Sequence, residues 1–312
     1  DVVLGQPDLG TNRAGSGRDG LNWPLNLTTD GRRLIVADTS NDRVLIWNEI
    51  LTRNATPADI VLAGDPRLGI DRRGAVLWPW GVWSDGTRLA VSSTRGSQVL
   101  LWDRFPTRDG QPPDRVLTAG GRMGTPRHIT SDGRALMVGD HNPRVGNGQA
   151  GAFVWTSFPT GEEDASFFLP SQPWARGSIG PYGRAWIFSQ TFGAWRWPLS
   201  SASQPADLML QPPCSSGGDY ESVAFVGERL YVACGNDNRV VGYERMPTAD
   251  ARPTIVLGAP DLETNTLLSR HIVQNGALAT DGRSLFAASD FDRRLSIWSA
   301  LRGGPSTRTP ST

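Results

Sequence analysis

Lysine is absent from this chain: all 31 basic side chains among its 312 residues are arginine, and 31 carboxylates balance them. A net charge of zero argues against a general nucleic-acid binder, which would carry a basic excess. Histidine is scarce, with three copies and no His-x-x-x-His spacing, so no compact metal motif can be read from it. No Gly-x-Ser-x-Gly elbow occurs, which removes the local signature of an α/β-hydrolase nucleophile. Apolar runs such as Ser222–Val226 reach only strand length, far below the roughly 20 residues of a membrane-spanning helix. No signal peptide opens the chain, which begins on a strand motif as a processed chain would. The last segment, 304–312, has no apolar residue and reads as a disordered tail.

What is present is a repeat. Asp30-Gly31 leads through Leu34–Ala37 and a polar turn to Val44–Trp47, the pattern of a β-hairpin. Comparable units start at Asp85, Asp132, Tyr182, Val226 and Asp281, and close on Trp102, Trp155, Trp197, Tyr243 and Trp298. A period of about 44 to 55 residues built from strands and turns marks a propeller array. A proline-led strand precedes the hairpin, as at Pro24, Pro79 and Pro126, and an outer strand follows it, as at Asp59–Ala63 and Thr254–Asp261. The expected fold is all-β, a single six-bladed β-propeller over residues 1–303 with four strands per blade. The sixth unit lacks an outer strand, while Asp1–Asp8 nearly repeats Ile255–Asp261. The N-terminal strand is therefore expected to join the last blade and close the ring.

These residues resemble the NHL-repeat family of six-bladed propellers. The resemblance rests on Pro79-Trp80-Gly81-Val82 followed by Asp85-Gly86, and on Val36–Val44 followed by Ile46-Trp47. It runs over residues 1–303, good in blades one, five and six, partial in two and three, and poor in four. It implies that Asp38, Arg43, Arg239 and Arg294 are structural, tying blades together. The closing aromatics recur in every blade and read as inter-blade packing.

Function is expected where the repeats disagree, on the face shared by the second-to-third-strand turns and the blade-to-blade loops, here called the upper face. Candidates at the starts of inner strands are Trp23, Trp78, Trp80, Arg127, His128, Trp174, Arg176 and Glu221. Tryptophan with arginine suits sugar faces, aromatic groups or carboxylates; tryptophan filling inter-blade space is the plain alternative. Blade three carries a longer loop, Asp140–Gly151, holding His141 and Arg144 and read as a flap. It lacks Gly-Lys-Ser/Thr, so it is no nucleotide cradle. His128, His141 and His271 all fall on this face. Resemblance to NHL-like peptidylglycine amidating lyases, which hold a metal with histidines of different blades, suggests these three as metal-ligand candidates. Propeller lactonases use channel carboxylates; Glu221 alone fits that pattern. Cys214 and Cys234 both fall near the upper face, where they could form a disulfide or remain two buried thiols. The bond would imply an oxidising compartment. Asn26-Leu27-Thr28 and Asn54-Ala55-Thr56 are sequons, relevant only in a eukaryotic secretory route.

The expectation is a non-enzymatic binder of a protein, peptide or glycan at the channel mouth, without a cofactor, and secreted or exposed in the periplasm or cell envelope. The rival is a metal-dependent lyase or hydrolase at the same place.

Overall fold

Leu34–Asp38 and Arg43–Trp47 are buried at every position, which a strand with one wet face cannot be. Successive side chains point to opposite faces, and here both faces are covered. Leu34 and Val36 pack toward the last blade, with Phe286 and Leu295. Ile35 and Ala37 pack toward the second blade, with Val91 and Trp102. The computed structural model describes residues 2–63, 73–145, 148–170, 176–180, 183–188, 192–214, 222–265 and 276–298. Among them lie six four-stranded antiparallel sheets. Their inner strands are Pro24–Thr29, Pro79–Ser84, Pro126–Ser131, Arg176–Gly180, Val223–Val226 and Ala277–Thr280. Each neighbours the next, and the last returns to the first, so the six-bladed propeller is closed.

Six apolar clusters fill the six junctions between blades. Each closing aromatic belongs to the cluster between its own blade and the preceding one, as Trp102 does between blades one and two. Three of them also donate an indole N–H to the following loop: Trp47 to the Thr56 carbonyl, Trp102 to Gln111 and Trp155 to Glu163.

The ring closes through Val2–Leu4, which pairs with Leu295–Ile297 as the outer strand of blade six. A loop of blade one clasps its free edge: the Val3 N–H donates to Asn54 Oδ1, and the Ala55 N–H to the Val3 carbonyl. Blade two repeats the clasp on blade one, with Val61 held by Asp109 and Gly110. An open edge would invite another strand.

The Asp-Gly turns fold for local reasons. Asp30 Oδ1 accepts the Arg32 and Arg33 N–H groups, and Asp85, Asp132 and Asp281 repeat the arrangement. Gly31 supplies the positive φ of 88° that a bulky residue resists. Arg33 then reaches the Gly86 carbonyl of the next blade, and Arg88 that of Gly133. On the opposite, upper face the hairpin arginines bind connecting loops. Arg43 joins Asp38 to the carbonyls of Ser16, Gly17 and Gly20, Arg239 reaches Thr264, and Arg294 reaches Leu9.

Candidate functional site at the channel mouth

The upper ends of three inner strands set the geometry. Pro24, Pro79 and Pro126 open them, where a missing N–H costs least. Thr39 Oγ1 donates to the Pro79 carbonyl and Thr94 Oγ1 to that of Pro126, so each blade fixes where its neighbour begins. Register then slips between Pro24 and Asn26, Pro79 and Val82, and Pro126 and Ile129. Such bulges re-aim side chains, here Leu25, Trp80, Arg127 and His128.

Gly81 decides how closely the strands approach. A Cβ at that position would lie 2.3 Å from the Arg127 carbonyl oxygen and 3.0 Å from the Ile129 nitrogen. With no side chain in blade two at this level, Asn26 of blade one meets His128 of blade three, Nδ2 to Nδ1 at 2.6 Å. An amide nitrogen only donates, so Nδ1 is the acceptor and the imidazole is neutral. Burial, then the nearby Arg176 charge, push the His128 pKa down to about 3, partly offset by a hydrogen bond to the Gly177 backbone. The bridge spans the top of a channel of about 170 Å³, lined by Thr28, Thr130, Ser178, Ser222 and Thr280 among others, with no acidic side chain among the described lining residues.

Above the bridge lies an aromatic–guanidinium stack. Arg127 sits 3.8 Å from the Trp80 ring centre and 5.8 Å from that of Trp78; the two indoles meet edge to face at 5.9 Å. Arg95 lies 5.6 Å from the Trp78 ring centre. Asp42 accepts the Trp78 N–H at 2.5 Å and lies 3.6 Å from Arg95. Behind the stack, burial raises the Asp140 pKa, opposed by the N–H groups of Gly124, Thr125 and Asn142 and by Arg127.

Exposure sorts the candidates. Trp80, Arg127, His128 and Arg176 are 6%, 7%, 8% and 1% exposed, so they form the floor of the mouth. Trp78 is half-buried, and Trp23, its counterpart in blade one, is 49% exposed. Both tryptophans have left-handed backbones, φ 57° at Trp23 and 48° at Trp78. Bulky residues rarely hold that conformation, and where they do the strain points to function.

His141 and Arg144 are exposed in the blade-three loop, with residues 146–147 outside the described residues. That loop is tied down: Arg144 Nη2 donates to Ser97 Oγ at 3.3 Å, its backbone N–H to the Arg122 carbonyl, and the His141 N–H to Thr125. Trp174, Glu221 and His271 lie outside the described residues. Cys214 and Cys234 form a disulfide. The described residues hold one group of three potential metal ligands within 4.8 Å of one another, Cys214, Cys234 and Asp237. Its sulfurs are bonded to each other and its carboxylate pairs with Arg239 at 3.1 Å, so it offers no thiolate. Neither sequon presents a free amide: Asn26 is buried against His128, and Asn54 clasps the N-terminal strand.

Sequence reasoning missed Asn26, Gly81, Arg95 and Phe291. Phe291 is 48% exposed on the hairpin turn of blade six, at the position held by Ser40, Arg95 and Asn236 in other blades. Aligning the turns would have exposed that exchange of polar for aromatic. No protein-family model matches the chain, and no curated protein sequence matches it.

Proposed function

We propose that this propeller, of the NHL type, is a non-enzymatic binding module that takes a protein, peptide or glycan on its upper face at the channel mouth. The observation that carries this reading is the pair Trp23 and Trp78. Adjacent blades hold large aromatics in a costly backbone conformation, where packing alone would favour glycine. The Asn26–His128 bridge beneath them, which crosses from blade one to blade three, suits a surface ligand better than one threading the channel. The Pro-led inner strands, Asp-Gly turns and arginine ties support the NHL resemblance. The disulfide supports a secreted, periplasmic or envelope-exposed location, and no described helix is long and apolar enough to cross a membrane.

The competing metal-dependent lyase or hydrolase requires His128, His141 and His271 to converge. His128 Nδ1 is taken by Asn26, and His141 lies on an exposed loop. The test is affinity capture from an extract of the source's extracellular and envelope fractions, with the wild type against a Trp23→Ser, Phe291→Ser double variant. Capture should fall at least about tenfold, the loss of roughly 1.4 kcal/mol. Equal capture would reject the upper face, and one tightly held ion per tag-free chain, lost in His128→Ala, would move the protein to the enzyme class.

A further inference from the structure

Three aromatics line successive blades of the upper face: Phe291 on blade six, Trp23 on blade one and Trp78 on blade two. Phe291 and Trp23 flank the connecting loop 5–22. That loop is pinned, because Gln6 Nε2 donates to the Arg293 carbonyl and Arg293 Nη1 to that of Asn12. Asp42 Oδ1 accepts the Trp78 backbone N–H. The connecting loop and the Trp78 backbone are therefore tied before a ligand arrives, which limits the entropy lost on binding.

Polar turns separate the three rings. Ser40, Asn41 and Asp42 lie between the blade-one and blade-two platforms, and Asp290, Asp292 and Arg293 surround Phe291. A protein partner needs a contiguous apolar centre ringed by polar groups; in this arc polar turn residues interrupt the aromatic ones. Its Asp42 and Arg95 side chains face each other at 3.6 Å, and Arg13 is exposed in the connecting loop. We infer that the arc Phe291–Trp23–Trp78 is a platform for an extended saccharide chain. Its flat C–H faces would stack on the rings, and its hydroxyls would bond Asp42 and Arg95. This rests on the upper-face reading and deepens it. A β-1,4-linked ribbon presents such faces repeatedly along a straight axis, whereas an α-1,4-linked chain curls away from them.

The experiment is calorimetric titration and tryptophan fluorescence on the full chain with cellohexaose and chitohexaose, maltohexaose serving as the curled control. One of the β-1,4 hexamers should bind and alter the emission. Trp23→Ala and Phe291→Ala should each weaken it about tenfold, Trp23→Tyr should keep it within about threefold, and maltohexaose should bind no better than the variants do. Trp23→Gly serves as the folding control: it should melt no lower than wild type, since glycine relaxes a φ of 57°. Binding that ignores both rim substitutions overturns the platform. If no hexamer binds at millimolar concentration while the double variant still loses a captured protein, the saccharide inference falls and the upper-face reading stands. If the double variant captures as well as wild type, both fall.

Discussion

Acidifying the protein should unload stability through one residue, His128. Its folded pKa is pushed down to about 3 from an ordinary 6.5, so the unfolded chain binds a proton that the folded chain refuses. Stability then rises with pH wherever the unfolded state holds more protons. The contribution is complete above the ordinary histidine range and is lost as pH falls from about 6.5 toward 3. Linkage for one group so shifted gives about 2 kcal/mol lost between pH 7 and pH 5, on the scale of 1.4 kcal/mol per unit. The window must stop there. Asp38 and Asp140 are raised by burial and act with the opposite sign once carboxylates titrate. Urea denaturation at half-unit steps between pH 7 and pH 5 reads the slope, and His128→Asn, which does not titrate and can still accept from Asn26, should flatten it. Proton NMR of the ring supplies the independent value. An identical slope in the variant, or an imidazole titrating near 6, would refute the buried, neutral bridge across the channel.

Gly81→Ala should cost about 1–3 kcal/mol, the range for overpacking, because its Cβ would meet the Arg127 carbonyl oxygen at 2.3 Å. It should also raise the His128 pKa by loosening the bridge; an unchanged urea midpoint and ring titration would show that the strands are not so closely held. Removing residues 1–4 strips buried Val3 and Leu4 from the last blade and opens the clasp at Asn54. At about 2 kcal/mol for each buried aliphatic side chain, roughly 4 kcal/mol is lost, a large part of a typical domain's total. A denaturation midpoint that moves by less than about 1 kcal/mol equivalent would contradict closure by this strand.

The blades were legible because their signals are local. An Asp-Gly pair whose carboxylate caps its own turn, two short β-branched runs and a closing aromatic act within one hairpin, so their order survives in the linear text. Even ring closure could be read, since the spare strand at the start copies the one missing at the end. The mouth was only partly legible. Trp23 and Trp80 are both tryptophans beside a strand-opening proline, yet one is exposed and the other buried. Trp23 precedes its proline and stands outside the strand, whereas Trp80 follows its own, within the strand, and lies under the guanidinium of Arg127, 47 residues away in the chain. Bulges in three strands also turn side chains by amounts that no periodicity encodes.

By itself the sequence determined the six repeats, their strand order and the closing partner, because turn chemistry and alternation act between near neighbours. Tertiary structure alone decided which of the described mouth residues are buried and which are exposed. Asn26 and His128 touch only because two blades converge across a third that carries glycine, and burial, charge and exposure at the mouth follow from that convergence.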